Sequence, residues 1–200
     1  MQALKSFLHS KALGLPALML TAIGAAHAEP ADWKIDSEHF SVVFEVEHIG
    51  YQHQIGMFRD ARGMFRYDPE TRELIRGRVE IEAASVFTNH DERDEHVRGE
   101  DFLDVENHRR ILFEVTDFQS GDAGGVLTGD LTLLGQTHPV ELDVTINKRA
   151  KYPFGHGKET LGVSARTTIE RSRWGMEYAV SNNLVGDEVE LRFEFEAIRQ

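Results

Sequence analysis

The 200-residue chain is acidic and contains no cysteine, with 22 Lys and Arg against 34 Asp and Glu and a formal net charge of −12 at pH 7. That charge repels nucleic acid and anionic membrane surfaces, so the sequence predicts no nucleic-acid partner. The lack of cysteine excludes disulfides, thiol catalysis and cysteine-ligated metals.

Residues 1–28 have the pattern of a secretory signal peptide. Lys5 and Lys11 precede an apolar run that ends at Ala26-His27-Ala28, a small-residue cleavage motif. The run is about 15 residues long, shorter than the roughly 20 that span a bilayer as a helix. We therefore expect cleavage after Ala28, a periplasmic location and one mature domain over residues 29–200; a retained N-terminal anchor or a buried helix is the alternative.

Apolar and polar residues alternate with a period of two through most of the mature chain. The clearest case is the C-terminal stretch, where Val189, Leu191, Phe193 and Phe195 alternate with charged residues. Such alternation places one face of a strand in a core and the other in water, as in antiparallel sheets. The runs that show it are residues 40–47, 78–82, 111–116, 127–133, 140–146, 161–169 and 189–196.

Turn-forming residues separate these runs, which predicts hairpin connections. They are Asp68-Pro69, residues 121–125, Gly135-Gln136, Asn182-Asn183 and Gly186-Asp187. About eight antiparallel strands can close into a barrel whose interior is filled by side chains or holds one small ligand. A β-sandwich is the competing architecture, and periodicity does not distinguish the two.

Residues 89–98 break the strand pattern and predict a short helix. We expect Asn89 to be its N-cap and Gly99 to end it, with acidic residues in the first turn where the helix dipole favours negative charge. At helical spacing Val97 shares a face with Arg93 and Asp94. If Val97 points inward, these polar side chains line the mouth of a cavity.

The ordered motifs of the mature chain resemble the YceI family of bacterial exported proteins. The stretches that carry the resemblance are residues 33–42, 88–98 with 101–105, 128–140 and 171–176. The resemblance implies an all-β, lipocalin-like antiparallel barrel of eight strands with a helical segment at one end. It also implies a long isoprenoid or other long-chain lipid in the interior. Two departures stand out: Arg109-Arg110 replaces a usual Tyr-Pro pair, and Leu103 replaces a usual phenylalanine.

The residues favour binding over catalysis. No paired histidine motif of a metal site, no nucleophile elbow and no spacing typical of a catalytic triad occurs, so we predict no metal, no cofactor and no catalytic residues. The group Arg93, Asp94 and His96 is the one candidate for acid–base work. The alternatives for these charges are a salt-bridged helix face and recognition of a lipid head group.

A lipid with a polar end needs a few convergent polar groups at the entrance and an apolar tube below it. We predict a ligand site with polar members His39, Asn89, Arg93, Asp94 and His96. The predicted apolar members are Phe40, Val42, Phe44, Val46, Val79, Ile81, Phe102, Phe113, Val115, Leu131, Phe193 and Phe195.

The sequence thus predicts a periplasmic carrier or binding protein, not an enzyme, for a polyprenyl lipid or an isoprenoid quinone. The resemblance also suggests a link to b-type cytochromes of the inner membrane and is compatible with a homodimer. Two other functions remain open: an enzyme acting on such a lipid or on a small oxidant, and a stress-response interaction protein with a filled barrel.

Overall fold

A computed structural model describes residues 29–200, which form a closed antiparallel β-barrel. The predicted signal peptide lies outside the described residues, and within residues 29–200 no helix is long and apolar enough to cross a membrane. The helices are α1 (Asp91–Arg98) and two short 3₁₀ segments, η1 (Ala83–Ser85) and η2 (Arg171–Trp174). The strands are β1 (Ala31–His48), β2 (Gln52–Phe58), β3 (Ala61–Asp68), β4 (Glu73–Glu82), β5 (Val86–Phe87), β6 (Arg110–Ser120), β7 (Gly124–Leu133), β8 (Gln136–Lys151), β9 (Glu159–Glu170) and β10 (Val185–Arg199).

The ten strands occupy eight positions around the barrel. β2 and β3 both run antiparallel to β1, β2 along its C-terminal part and β3 along its N-terminal part, so together they act as one long strand. β4 and β5 form the next position in the same way. β1 pairs with β10 over most of its length and closes the ring, which decides for a barrel against a sandwich. The predicted all-β barrel of about eight strands with one short helix is confirmed.

The two ends of the barrel differ. The upper end carries the β1–β2 turn, α1 and the loop at residues 175–184. The lower end carries the turns at residues 69–72, 121–123 and 152–158. The buried side chains form one large cluster that reaches the upper end and a smaller one around Trp33 at the lower end.

The alternation predicts the strands well where the inward residues are large. On β10 the residues Val189, Leu191 and Phe193 pack against the core, as predicted. The alternation did not predict β2, because one of its buried positions is Gly56, which has no apolar side chain. The predicted turn at Gly186-Asp187 was wrong, because both residues belong to β10.

The helix begins one residue later than predicted. Its N-cap is His90, whose ring accepts a hydrogen bond from the backbone N–H of Arg93 at 3.3 Å. The predicted N-cap, Asn89, instead has a left-handed backbone with φ 64°, which asparagine tolerates better than most residues. Gly99 ends the helix, as predicted.

Candidate functional site

The upper half of the barrel encloses a chamber of about 380 Å³. Its wall is largely apolar, and it is a size typical of small-molecule pockets. β1, β2, β4, β5, β6, β7, β9 and β10 supply the wall, while α1 and the 175–184 loop lie at its upper end. The apolar side chains that line it are Val42, Phe44, Val46, Ile49, Phe58, Ile81, Val86, Val97, Phe102, Leu103, Ile111, Leu131, Leu133, Ile169, Met176, Tyr178, Ala179, Leu184, Val185, Val189, Leu191 and Phe193.

A second, smaller chamber of about 130 Å³ lies below the first. Its lining is apolar and rich in phenylalanine, including Phe65 and Phe118. Five side chains line both chambers and form the waist between them: Ile81, Ile111, Leu131, Leu191 and Phe193. Rotamer changes at a waist built only of apolar side chains would join the two chambers into one tube.

Most of the predicted site residues lie in these two walls. Those in the upper wall are Val42, Phe44, Val46, Ile81, Arg93, His96, Phe102, Leu131 and Phe193. Those in the lower wall are Phe40, Val79, Ile81, Phe113, Val115, Leu131, Phe193 and Phe195. The structure places His39, Asn89 and Asp94 outside both walls, so it does not bring the five predicted polar residues together.

Two inward glycines make room for the largest rings of the wall. Gly56 lies opposite Phe44 in the β1–β2 pair, and a Cβ there would overlap the Phe44 ring. A Cβ at Gly129 would likewise overlap the Phe113 ring. The rings can therefore lie along the sheet rather than project into the chambers, which keeps the interior open.

Replacing Gly56 with alanine is expected to push the Phe44 ring into the upper chamber. The cost is about 1–3 kcal/mol of unfolding free energy, as for other overpacked cores, and the chamber shrinks. Thermal denaturation and the uptake of an environment-sensitive apolar dye would measure both effects. The double variant Gly56→Ala/Phe44→Leu should recover most of the dye uptake. Equal uptake by Gly56→Ala and the unsubstituted protein would contradict this account of the glycine.

The polar groups of α1 are held by Thr88, which precedes the helix. The buried Asp94 carboxylate accepts hydrogen bonds from the Thr88 N–H and hydroxyl, both at 2.6 Å. The Arg93 guanidinium donates to the Thr88 hydroxyl at 2.8 Å and to its carbonyl at 2.7 Å. Arg93 still lines the upper chamber, so its remaining N–H groups are the charged donors nearest the cavity from this helix.

Three rings meet at the upper end of the chamber. His96, Phe102 and Tyr178 pack edge to face, with centroids 5.1 to 5.2 Å apart. The His96 ring also bonds Asp101 at 2.8 Å. Of the three candidate residues for acid–base work, Arg93 and Asp94 share the partner Thr88, whereas His96 bonds Asp101.

Arg171 organises the loop at the upper end. It is 2% exposed and donates to four backbone carbonyls, those of Gly186, Met176, Tyr178 and Val185, at 2.7 to 3.0 Å. Burial lowers the pKa of the guanidinium, and the Asp187 carboxylate partly opposes that shift. The guanidinium also lies over the Phe102 ring at 5.7 Å, so one side chain ties the loop to the aromatic cluster.

His39 lies outside the cavity because of an irregularity in β1. The β1–β10 register skips from Ile35 to Phe40 while β10 advances by two residues, so residues 36–39 bulge opposite Glu196. His39 Nδ1 donates to the Asp36 carboxylate at 2.8 Å and lies 3.9 Å from that of Glu196. Within residues 29–200 these three form the one group of metal-ligand types within 4.8 Å of one another, and the contacts of His39 with the two carboxylates account for the arrangement.

The pairing predicts a linked titration of His39 and Asp36. The hydrogen bond to Asp36 raises the pKa of His39, and the same bond lowers the pKa of Asp36. The His39 contribution to stability is complete below the unfolded-state pKa of histidine and is lost as pH rises through the raised folded-state pKa. The Asp36 contribution is present above the unfolded-state pKa of aspartate and is lost as pH falls through the lowered one. Nuclear magnetic resonance titration should show the His39 pKa falling in Asp36→Asn; an unchanged value would contradict the pairing.

Comparison with known proteins assigns this architecture to a family. A family model described as a YceI-like domain matches residues 33–197. The chain belongs to the YceI family. Its YceI relatives include a UPF0312 protein of Pseudomonas savastanoi pv. phaseolicola, 36% identical over 170 residues, with 84% of this chain and 88% of the relative covered. A UPF0312 protein of Ectopseudomonas mendocina is 36% identical over 192 residues, which cover 93% and 97% of the two chains.

Solved structures share the YceI barrel. The YceI protein of Campylobacter jejuni is 29% identical with a TM-score of 0.71, covering 77% of this chain and 90% of the other. BcnA of Burkholderia cenocepacia is 20% identical with a TM-score of 0.72, covering 81% and 98%. A polyisoprenoid-binding domain from Saccharophagus degradans is 12% identical with a TM-score of 0.61, covering 86% and 100%. The last two likenesses concern the fold alone.

The sequence did not single out several residues that shape the site. Arg171 lies in one of the four YceI motifs, but a lone arginine beside a strand gives no sign of four carbonyl partners. Tyr178 and Leu184 lie in a loop with no periodicity. Leu103, one of the departures from the family pattern, lines the upper chamber, so this substitution changes the cavity wall itself.

Proposed function

We propose that this protein is a periplasmic carrier or binding protein that holds one long isoprenoid lipid in its barrel and catalyses no reaction. The observation that carries the proposal is the pair of apolar chambers, stacked along the barrel and separated only by apolar side chains. A tail passing from one to the other would bury apolar surface at about 25 cal/mol per Å². The polyisoprenoid binding of the Saccharophagus degradans domain, on the same fold, supports this ligand class.

Polar groups at the upper end suit a head group. The Arg93 guanidinium faces the upper chamber with donors left over from its bonds to Thr88, and His96 lies beside it in the wall. A hydroxyl, a phosphate or a quinone carbonyl could each accept from these donors. We therefore place the head group at the upper end and the tail in the lower chamber, for a polyprenyl lipid or an isoprenoid quinone.

The two alternatives have less support. An enzyme needs acid–base groups that are free to act on a substrate, whereas Arg93 and Asp94 both bond Thr88 and His96 bonds Asp101. A filled barrel would leave no chamber of about 380 Å³. The proposed links to a b-type cytochrome and to a homodimer rest on family resemblance.

Native mass spectrometry of the mature protein, isolated gently from the periplasm, tests the proposal. We expect a stoichiometric adduct that organic extraction identifies as an isoprenoid. Phe113→Glu, which places a charge in the lower chamber, should lose the adduct. Gln119→Glu adds the same charge on the exposed face of the same strand and should keep it.

Circular dichroism must first show that Phe113→Glu is folded. A clean unliganded mass for the unsubstituted protein, with no uptake of added undecaprenol or ubiquinone, would overturn the carrier function. Turnover of the lipid that depends on Arg93 or His96, with retention unaffected, would favour the enzyme instead.

A further inference from the structure

Exposed apolar side chains surround the opening of the upper chamber. Ile49, Tyr178 and Leu184 line the chamber and are each 44% exposed, so the apolar surface runs without a break from the interior to the outside. Tyr51, at the tip of the β1–β2 turn, is 88% exposed. We call these four residues the rim.

The rim lies on two segments without formal charge in a strongly charged chain. Residues 48–58 and 178–186 contain no Asp, Glu, Lys or Arg, whereas 28% of the whole sequence is charged. Neutral, apolar and tyrosine-bearing surface is suited to the interfacial zone of a bilayer, where aromatic rings with a polar tip are enriched. The other exposed surface of this acidic protein is repelled by anionic lipid.

Hydrogen bonds fix the two rim segments relative to each other, so both can contact one flat surface at the same time. The Ile49 N–H donates to the Leu184 carbonyl at 3.2 Å, which joins the β1–β2 turn to the 175–184 loop. Arg171 fixes the same loop from below through the Tyr178 and Val185 carbonyls. Preorganised apolar side chains lose little conformational freedom when a surface covers them.

The geometry points to the rim as a docking surface for a lipid bilayer, through which the barrel exchanges its ligand. This inference rests on the proposed function, because a long apolar lipid must leave the bilayer without crossing water. A rim seated in the interface would let the tail slide from acyl chains to the upper chamber. The acidic residues of α1, Asp91, Glu92 and Glu95, stand beside the opening and disfavour anionic lipid. We therefore assign the rim to neutral or zwitterionic lipid.

Vesicle flotation with the mature protein tests the docking surface. Phosphatidylcholine vesicles should carry the protein, and the double variant Tyr51→Asp/Leu184→Asp should bind about tenfold less. Phe154→Asp is the matched control, since Phe154 is 69% exposed at the lower end of the barrel, and it should bind as the unsubstituted protein does. Added phosphatidylglycerol should not increase binding. Equal binding by the double variant, or none by the unsubstituted protein, would overturn the docking surface.

A second measurement separates docking from ligand binding. With undecaprenol supplied in dilute detergent, the single variant Tyr51→Asp, at a rim residue that lines neither chamber, should take up as much as the unsubstituted protein, whereas its uptake from vesicles should be several-fold slower. Vesicle binding without undecaprenol uptake would sink the carrier function and leave the docking surface in place. Sedimentation velocity tests whether a second copy of the chain covers the rim instead. A dimer of the unsubstituted protein that the double variant does not form would make the rim a contact between two copies and overturn the bilayer assignment.

Discussion

Trp33→Ala is expected to lower the free energy of unfolding by about 4 kcal/mol, the range for removing a fully buried tryptophan. Trp33 is 0% exposed, and its indole Nε1 donates to the Tyr67 carbonyl at 3.2 Å. It stacks on Phe65, which faces it across the β1–β3 pair, and clusters with Leu161 at the lower end. The substitution leaves a cavity and removes the hydrogen bond to the Tyr67 carbonyl, and both changes lower stability.

Urea denaturation followed by circular dichroism would measure the effect. The matched control is Phe154→Ala, which removes an exposed ring at the same end and should change stability by less than about 0.5 kcal/mol. A loss below about 1 kcal/mol for Trp33→Ala would show that the lower cluster does not support the barrel. If the protein fails to fold, Trp33→Phe, which keeps a ring in the site, should restore folding with a smaller loss.

The barrel could be predicted because its core side chains obey a simple period. On β10 and the middle of β1, large apolar residues occupy every second position, so the sequence itself shows which face is buried. Gly56 in β2 interrupts that pattern because the Phe44 ring on the neighbouring strand fills the space that a side chain at position 56 would need. The pattern within one strand does not show this contact. Cross-strand compensation of this kind depends on register, which becomes visible only in the folded sheet.

The polar part of the site was harder to predict for a related reason. His39 and Asn89 are polar residues near apolar runs, yet a bulge turns His39 outward beside Glu196, and a left-handed backbone puts Asn89 ahead of the helix. Asp94 is buried, as its spacing with Val97 indicates, but its carboxylate accepts hydrogen bonds from Thr88 and does not line the chamber. Spacing predicts the face on which a side chain lies, whereas its partner is set by local hydrogen bonding.

Arg171 is the residue whose loss should most affect the upper end, because it donates to four backbone carbonyls at once. Arg171→Met keeps much of the buried apolar stem and removes every donor. We expect a loss of about 3 kcal/mol, since buried acceptors lose charge-assisted hydrogen bonds. The arginine stays protonated throughout the accessible pH range, so the loss should be the same at acidic and neutral pH.

Arg173→Met is the matched control because it removes the same charge from the same 3₁₀ segment. Arg173 is exposed and lies over the Trp174 ring at 5.4 Å, a contact worth about 0.5–1 kcal/mol at such a site. Hydrogen exchange should show faster exchange across residues 176–186 in Arg171→Met and unchanged exchange in Arg173→Met. Both variants remove one positive charge, so the difference in their exchange rates measures the effect of the hydrogen bonds from Arg171 to the four carbonyls.

Arg171→Met also tests whether the stability of the 175–184 loop controls release of the ligand. If Arg171 holds Tyr178 and Leu184 in place, Arg171→Met should loosen the upper end while the buried cluster around Trp33 keeps its packing. A bound isoprenoid should then leave several-fold faster, because rates of release follow the opening of the elements that cover a ligand. Unchanged release despite faster hydrogen exchange would mean that the loop does not control access to the upper chamber.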